Sequence, residues 1–347
     1  AQATMAQALP TQSSPAPGPR RAPAPPARGM RRPDCQPARH LLPVAVAVAL
    51  VGRAASQELL ELWPQGQVPG ERPGTIGPER LVPVPGGGGP EDTQFENVSV
   101  PTLARFLVPS DGPTGTAVLV APGGGYSILA WNREGLDICR WLNSAGISCF
   151  LLKYRVPARP WLPFGAAPHM DAQRAMGLIR GRAAEFGLNA SRIGAMGFSA
   201  GGHVAGFLST SFARTYPRVD AADDERCRPD FALLIYPWRL VDDDDVRRLV
   251  VNVTTETPPA FLAQAMDDPD AHVENSVMYF LGLQAASVPL SELHVYPTGG
   301  HGYGRCTVTG AAWHEVCTWP QRARRFLDLV ALRRDAAPAG PPRGVLV

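Results

Sequence analysis

A chain of 347 residues, 45% of them apolar, can hold one large α/β domain or two ordinary ones and can bury a sizeable core. Its formal net charge of +2 argues against a nucleic-acid or membrane-surface role that rests on bulk electrostatics. Prolines crowd the early part of the chain, so the core must come from later residues.

Residues 1–29 are Ala/Pro/Gln/Ser/Arg of low complexity, without periodicity, and read as a disordered leader. From Met30 the pattern changes to Arg31, Arg32 and Arg39, an apolar run over 41–51, and the small residues Ala54-Ala55-Ser56. That is the form of a signal peptide over 30–56, which implies a secreted or extracytoplasmic protein. The apolar run is too short to span a bilayer, so no stable membrane insertion is expected. Asn97-Val98-Ser99, Asn189-Ala190-Ser191 and Asn252-Val253-Thr254 are acceptor sites for glycosylation on a eukaryotic secretory route.

Residues 57–99 form a Pro/Gly-rich lead-in, expected to be extended and wrapped on the domain. Within it Gly86-Gly87-Gly88-Gly89 invites a phosphate-loop reading, but no Lys-Ser/Thr pair and no helical pattern come after it, which favours a flexible linker. From about residue 100 strands and helices alternate up to 335, and 336–347 are a tail. Strands are expected over 103–108, 116–122, 147–154, 192–198, 231–236, 260–266 and 293–296, and helices over 133–144, 171–186, 200–210, 274–284 and 321–333. Several strand runs are continuously apolar, as in strands buried on both faces, so the pattern predicts an α/β fold with a mostly parallel sheet and helices on both faces. Between 156 and 170 the chain is too short for a large cap domain.

Of six cysteines, no close pair has metal-ligand spacing. Cys139 falls in an apolar helical pattern and Cys149 in an apolar strand, so both are expected to be buried small hydrophobes. Cys306 and Cys317 bracket a loop and pair if the compartment is oxidising; the sequence leaves that open.

The chemistry centres on Gly197-Phe198-Ser199-Ala200-Gly201, where an apolar run turns at once into a small-residue helix. This is the sequence form of a nucleophile elbow, which lifts a serine above the sheet on a strained backbone. Upstream, the strand over 116–122 runs into Gly123-Gly124-Gly125-Tyr126, whose bare backbone N–H groups can meet the negative charge of a tetrahedral intermediate, with the N–H of Ala200 as a further donor. Downstream, the strand over 260–266 ends in Asp267-Asp268-Pro269-Asp270, where an open α/β sheet places its site. Three aspartates compete there, with Asp268 favoured and Asp267 second. The run from Asp242 to Asp245 reads as solvated surface. Among seven histidines, His301 alone combines a strand's end, a glycine-rich loop and a position after the acid. His294 lies inside a strand, His203 reads as helix packing, and His169 and His272 are candidates to line a pocket. The order Ser199, Asp268, His301 is that of α/β hydrolases and of neither the chymotrypsin nor the subtilisin triad.

From about Gly115 to Leu332 the chain resembles α/β-hydrolase esterases of the BD-FAE-like kind, related to acetylxylan esterases and to hormone-sensitive-lipase-like acetyl esterases. The matching stretches are Ala121-Pro122-Gly123-Gly124-Gly125-Tyr126, Leu152-Lys153-Tyr154-Arg155-Val156-Pro157, Asp171-Ala172-Gln173-Arg174-Ala175, and Met196-Gly197-Phe198-Ser199-Ala200-Gly201-Gly202-His203. Asp267-Asp268-Pro269, Val273-Glu274-Asn275-Ser276 and Gly299-Gly300-His301-Gly302-Tyr303-Gly304 complete the set. The resemblance implies an α/β-hydrolase fold and a secreted, cofactor-free serine esterase acting on acetyl or other acyl esters of plant-type polysaccharide. It implies Ser199 as nucleophile, Asp268 as orienting acid, His301 as base, and Gly124, Gly125 and Ala200 as oxyanion donors. Pro122 departs from the histidine that related lipases and esterases often carry, and Asp270 and His272 stand where many relatives have Val and Pro. Asp171, Arg174 and Arg155 match the pattern as structural ion pairs. Two other readings compete: a serine peptidase of the prolyl-oligopeptidase kind, and a non-catalytic binding protein that keeps the fold. Glycoside cleavage needs a carboxylate pair across a sugar cleft, and nothing in the sequence points to one. No sequence feature speaks to the oligomeric state.

Overall fold

The apolar runs become the strands of an eight-stranded sheet. In the computed structural model, which describes residues 59–64, 67–108, 114–307 and 314–331, the first strands are β1 (Leu59–Glu61), β2 (Arg80–Pro83), β3 (Thr93–Glu96), β4 (Thr102–Phe106), β5 (Ala117–Ala121) and β6 (Ile128–Leu129). The remaining strands are β7 (Ser148–Lys153), β8 (Ile193–Phe198), β9 (Ala232–Ile235), β10 (Ala260–Ala265) and β11 (Glu292–Tyr296). The leader expected over 1–29, the signal peptide over 30–56 and the tail over 336–347 lie outside the described residues.

The main sheet has the order β1-β4-β7-β5-β8-β9-β10-β11. From β7 to β11 every neighbouring pair is parallel, while β4 runs antiparallel to β7 and β1 antiparallel to β4. Side chains alternate across it, as a period of two requires. Leu119, Phe150 and Ala195 join one core with α2 (Ala166–Gly181), α3 (Ala200–Thr210) and α4 (Glu274–Ala285). Val118, Leu151 and Met196 join the other with α1 (Asp137–Ser144) and α5 (Trp319–Val330). This is the α/β-hydrolase fold, and no cap domain interrupts it among the described residues.

Residues of the lead-in are built into this body. β1 extends the main sheet, and β2, β3 and β6 make a small antiparallel sheet of their own. Trp63 is buried and donates its indole N–H to Asp171 at 2.9 Å. Asp171 is also the partner of the buried Arg155 guanidinium at 2.9 Å, so one carboxylate ties the segment after β7, α2 and the lead-in together.

Three local expectations change. The helix expected over 133–144 divides into a π-helical turn, Asn132–Leu136, followed by α1. α2 starts at Ala166 rather than 171, because Pro168 falls in the first turn, where a missing N–H costs no helical bond. Cys139 and Cys149, expected as unpaired hydrophobes, form a disulfide: α1 packs on β7 and brings their Cα atoms to 5.2 Å. Cys306 and Cys317 are also paired, and Cys227 is a buried free thiol.

Candidate active site

The site is assembled at the carboxyl ends of β5, β8, β10 and β11, the edge where open α/β sheets gather their ligands. Ser199 stands between β8 and α3 with φ 51° and ψ −119°, a strained conformation that raises its side chain off the sheet. The glycines around it are required by space. A Cβ at Gly197 would lie 1.9 Å from the carbonyl oxygen of Gly201, and one at Gly201 would lie 2.0 Å from that of Ala121.

His301, on the loop after β11, has Nε2 at 2.8 Å from Ser199 Oγ and Nδ1 at 2.8 Å from Asp268 Oδ2. The structure therefore brings together the three residues singled out as nucleophile, acid and base. Asp268 is itself held: its Oδ1 accepts the backbone N–H groups of Asp270 (2.9 Å) and Ala271 (2.8 Å), and Gln264 Nε2 donates to Oδ2 at 3.0 Å. Asp267, the second candidate, accepts the N–H of Gly300 at 2.8 Å and so fixes the histidine loop instead. Burial pulls the His301 imidazole down, but the hydrogen bond and charge of Asp268, with Glu134 and Asp270 behind it, leave it above its ordinary value. A serine hydroxyl on an imidazole whose other nitrogen is held by a carboxylate can be deprotonated as it attacks a carbonyl.

The glycine loop after β5 borders the same cavity. Gly124 has φ 128°, and a Cβ there would meet the Ile128 carbonyl oxygen at 2.2 Å, so only glycine fits. The N–H of Gly123 donates to Glu134 Oε2 at 2.6 Å. Those of Gly124 and Gly125 have no acceptor among the described residues, and Ala200, as the first residue of α3, has no intrahelical acceptor either. The cavity holds about 440 Å³ and is bordered by Gly124, Gly125, Ser199, Trp238 and His301, with Asp92, Gln94, Arg133, Glu134 and Asp270 among its polar lining. Within the described residues, Asp268, Asp270 and His301 are the one set whose potential metal-ligating atoms cluster, and two of them are already bonded to each other.

The other histidines have other places. His203 is buried, bonded to the Tyr126 hydroxyl at 2.6 Å, and pulled down to about 3 by burial, with His169 and Arg239 adding to it. His169 lines a separate cavity of about 470 Å³, His272 is exposed, and His294 bonds to Glu292. Sequence reasoning passed over Glu134, Tyr236 and Trp238, all at the site. The only available signal was their closeness in sequence to the glycine loop and to the end of a strand.

Fold and geometry together define the class: an α/β-hydrolase fold with a Ser–His–Asp row beside a glycine loop. Residues 110–227 match the BD-FAE family and residues 244–324 the prolyl oligopeptidase family. The chain is 30% identical over 219 residues to an acetylxylan esterase of Xylanibacter ruminicola, covering 56% of this chain and 42% of that protein. It is 31% identical over 222 residues to endo-1,4-beta-xylanase B of Butyrivibrio fibrisolvens, covering 58% of this chain and 34% of that one. The chain thus spans less than half the length of either curated relative. A crystal structure of an acetyl ester-xyloside bifunctional hydrolase from Caldicellulosiruptor lactoaceticus superposes with a TM-score of 0.64 at 28% identity, covering 80% of this chain and 97% of that one. The resemblance to α/β-hydrolase esterases read from the sequence is borne out by these matches.

Proposed function

We propose that this chain is a serine-dependent carboxylic-ester hydrolase that works through an acyl-enzyme on acetyl or other acyl esters of carbohydrate. The observation that carries the reading is the unbroken row from Ser199 Oγ through His301 to Asp268, with 2.8 Å at each step, beside two unpartnered glycine N–H groups. His301 Nε2 takes the hydroxyl proton as Ser199 Oγ bonds to the ester carbonyl carbon, and the oxyanion is met by Gly124, Gly125 and Ala200. The imidazolium then protonates the departing alcohol. Water, deprotonated by His301, attacks the acyl-enzyme, releases the acid and returns the proton to Ser199.

The names of the acetylxylan esterase and of the acetyl ester-xyloside hydrolase support the carbohydrate ester as substrate class. The polar side chains that line the cavity together with Trp238 suit an alcohol rich in hydroxyls. Two disulfides support an oxidising, extracytoplasmic place of work.

The match of residues 244–324 to the prolyl oligopeptidase family favours one second reading, a serine peptidase. A panel of acetylated xylan, feruloyl esters, p-nitrophenyl esters and peptides, run with fluorophosphonate labelling of the full chain, separates them. Ester turnover with labelled Ser199 is the expected result. Peptide cleavage without ester turnover favours the peptidase. A folded chain whose Ser199 does not label overturns both and leaves a binding protein on a hydrolase fold.

A further inference from the structure

One buried carboxylate in the wall of the catalytic cavity has no part in the Ser199–His301–Asp268 row. Glu134 lies in the π-helical turn Asn132–Leu136 and is 4% exposed. Its Oε2 accepts the N–H of Gly123 at 2.6 Å, and its Oε1 accepts the hydroxyl of Tyr236 at 2.8 Å. The same hydroxyl accepts the N–H of Gly304, on the histidine loop, at 3.0 Å. The chain of bonds therefore runs from the glycine loop, through Glu134 and Tyr236, to the loop that carries His301. The Tyr236 ring also lies edge-on to the His301 ring, with centroids 5.0 Å apart.

The proton count assigns the state of the carboxyl. The Tyr236 oxygen already receives the Gly304 N–H, so its own proton needs an acceptor, and Glu134 Oε1 is the partner in place. With Oε2 receiving Gly123, both oxygens act as acceptors and no bond donated by the carboxyl accompanies them, the pattern that suits the ionised form. Burial holds the carboxyl above its ordinary value, and the bonds from Tyr236 and Gly123, with the charges of His301 and Arg133, oppose that without cancelling it.

We propose that Glu134 is a positioning residue of this reaction: an ionised carboxylate that locks the oxyanion loop to the histidine loop and sets a negative charge behind the Ser199–His301 pair. The proposal rests on the hydrolase reading above. By engaging Gly123, Glu134 fixes the peptide planes of Gly124 and Gly125, the two donors left to the oxyanion. Through Tyr236 and Gly304 it fixes the histidine on the opposite wall. The remaining charged and titratable groups around the imidazole are Asp268 on Nδ1, Asp270 from the same turn, Asp267 on Gly300, and Tyr303, whose hydroxyl reaches the Ala263 carbonyl at 3.3 Å. Around Glu134 stand Arg133, Tyr154 and Tyr236.

The test follows the His301 imidazole by nitrogen NMR through a pH titration, together with kcat and KM for p-nitrophenyl acetate, in the full chain and in Glu134→Gln, Glu134→Asp and Tyr236→Phe. Glu134→Gln removes the charge, and its His301 titration is expected to fall by roughly half a unit to one unit. Its kcat is expected to fall by about tenfold to a hundredfold with KM within about threefold, the signature of misplaced reacting groups. Glu134→Asp keeps the charge but cannot span both partners, so the titration stays and kcat falls. Tyr236→Phe removes the hydroxyl and with it both the Gly304 bond and the bond to Glu134 Oε1, keeps the carboxylate and its Gly123 bond, and lowers kcat; it reads the proposal even where the Glu134 variants fail to fold. An unmoved His301 titration in Glu134→Gln, or wild-type kcat in Glu134→Gln or Tyr236→Phe, would overturn the proposal. A wild-type chain inert toward every ester would instead sink the hydrolase reading, and the titration would still report on Glu134.

Discussion

Replacing Asp268 by Asn is the perturbation whose outcome the hydrogen bonds determine most tightly. Four N–H donors converge on this carboxylate: Asp270 and Ala271 on Oδ1, Gln264 and His301 on Oδ2. Asn offers one oxygen and one NH2 group, so one end must meet donors with a donor. Turning the NH2 group toward the backbone would strand the part-buried N–H of Asp270 and the buried N–H of Ala271, the latter alone at a cost of about 1–3 kcal/mol. The amide oxygen therefore takes the backbone end, and the NH2 group faces Gln264 and His301. The imidazole must then present a bare Nδ1, its proton moves to Nε2, and it can no longer accept the proton of Ser199. Imposing the wrong tautomer in a serine triad lowers kcat about 10⁴-fold, equivalent to about 5.5 kcal/mol of barrier. The assay is kcat on p-nitrophenyl acetate near pH 8, with a thermal melt to show that the fold is retained. A loss of less than about tenfold in folded Asp268→Asn would refute this assignment of the acid.

Three further outcomes rest on the same geometry. Gly124→Ala places a Cβ 2.2 Å from the Ile128 carbonyl oxygen at a φ of 128°, so the loop must rebuild and kcat should drop about 10²–10³-fold, as on losing an oxyanion donor; near-normal turnover would show that the donor is elsewhere. Because the base must be neutral and His301 is held above its ordinary value of about 6.5, the acid limb of kcat/KM should lie above that pH, with activity rising as pH rises through it; a limb at or below that value would contradict the placement. Asp171→Ala leaves the fully buried Arg155 guanidinium with only Glu71, at 3.6 Å, as an acidic partner and strips the Trp63 indole N–H of its acceptor, so urea denaturation should register a loss of about 2–3 kcal/mol, short of the full cost of an unpaired buried charge; a loss below about 1 kcal/mol would mean that the lead-in is held by other contacts.

Much of this arrangement could be read in the sequence because backbone geometry dictates it. The elbow needs glycine at 197 and 201 to let strand and helix touch, and continuous apolar runs mark strands covered on both faces. The loop carrying Asp268 follows such a run, and the loop carrying His301 follows the short strand ending at Tyr296, which is why their order could be recognised. The features that stayed hidden depend on packing between distant segments. Nothing in the sequence marks Glu134 beyond its place near the start of an expected helix, and the π-helical turn that carries it to Gly123 is what buries it. The Cys139–Cys149 bond was masked by the apolar settings of both residues, since pairing requires α1 to lie on β7. β2, β3 and β6 are two to four residues long, too short for any periodicity to register.

The central claim is that Ser199 carries an acyl group from a carbohydrate ester. Acetate release from acetylated xylan by the full chain, measured beside Ser199→Ala, tests it most directly. Release by the wild type and a fall of at least about 10³-fold in the variant is the expected result. Equal release by the two proteins would contradict it.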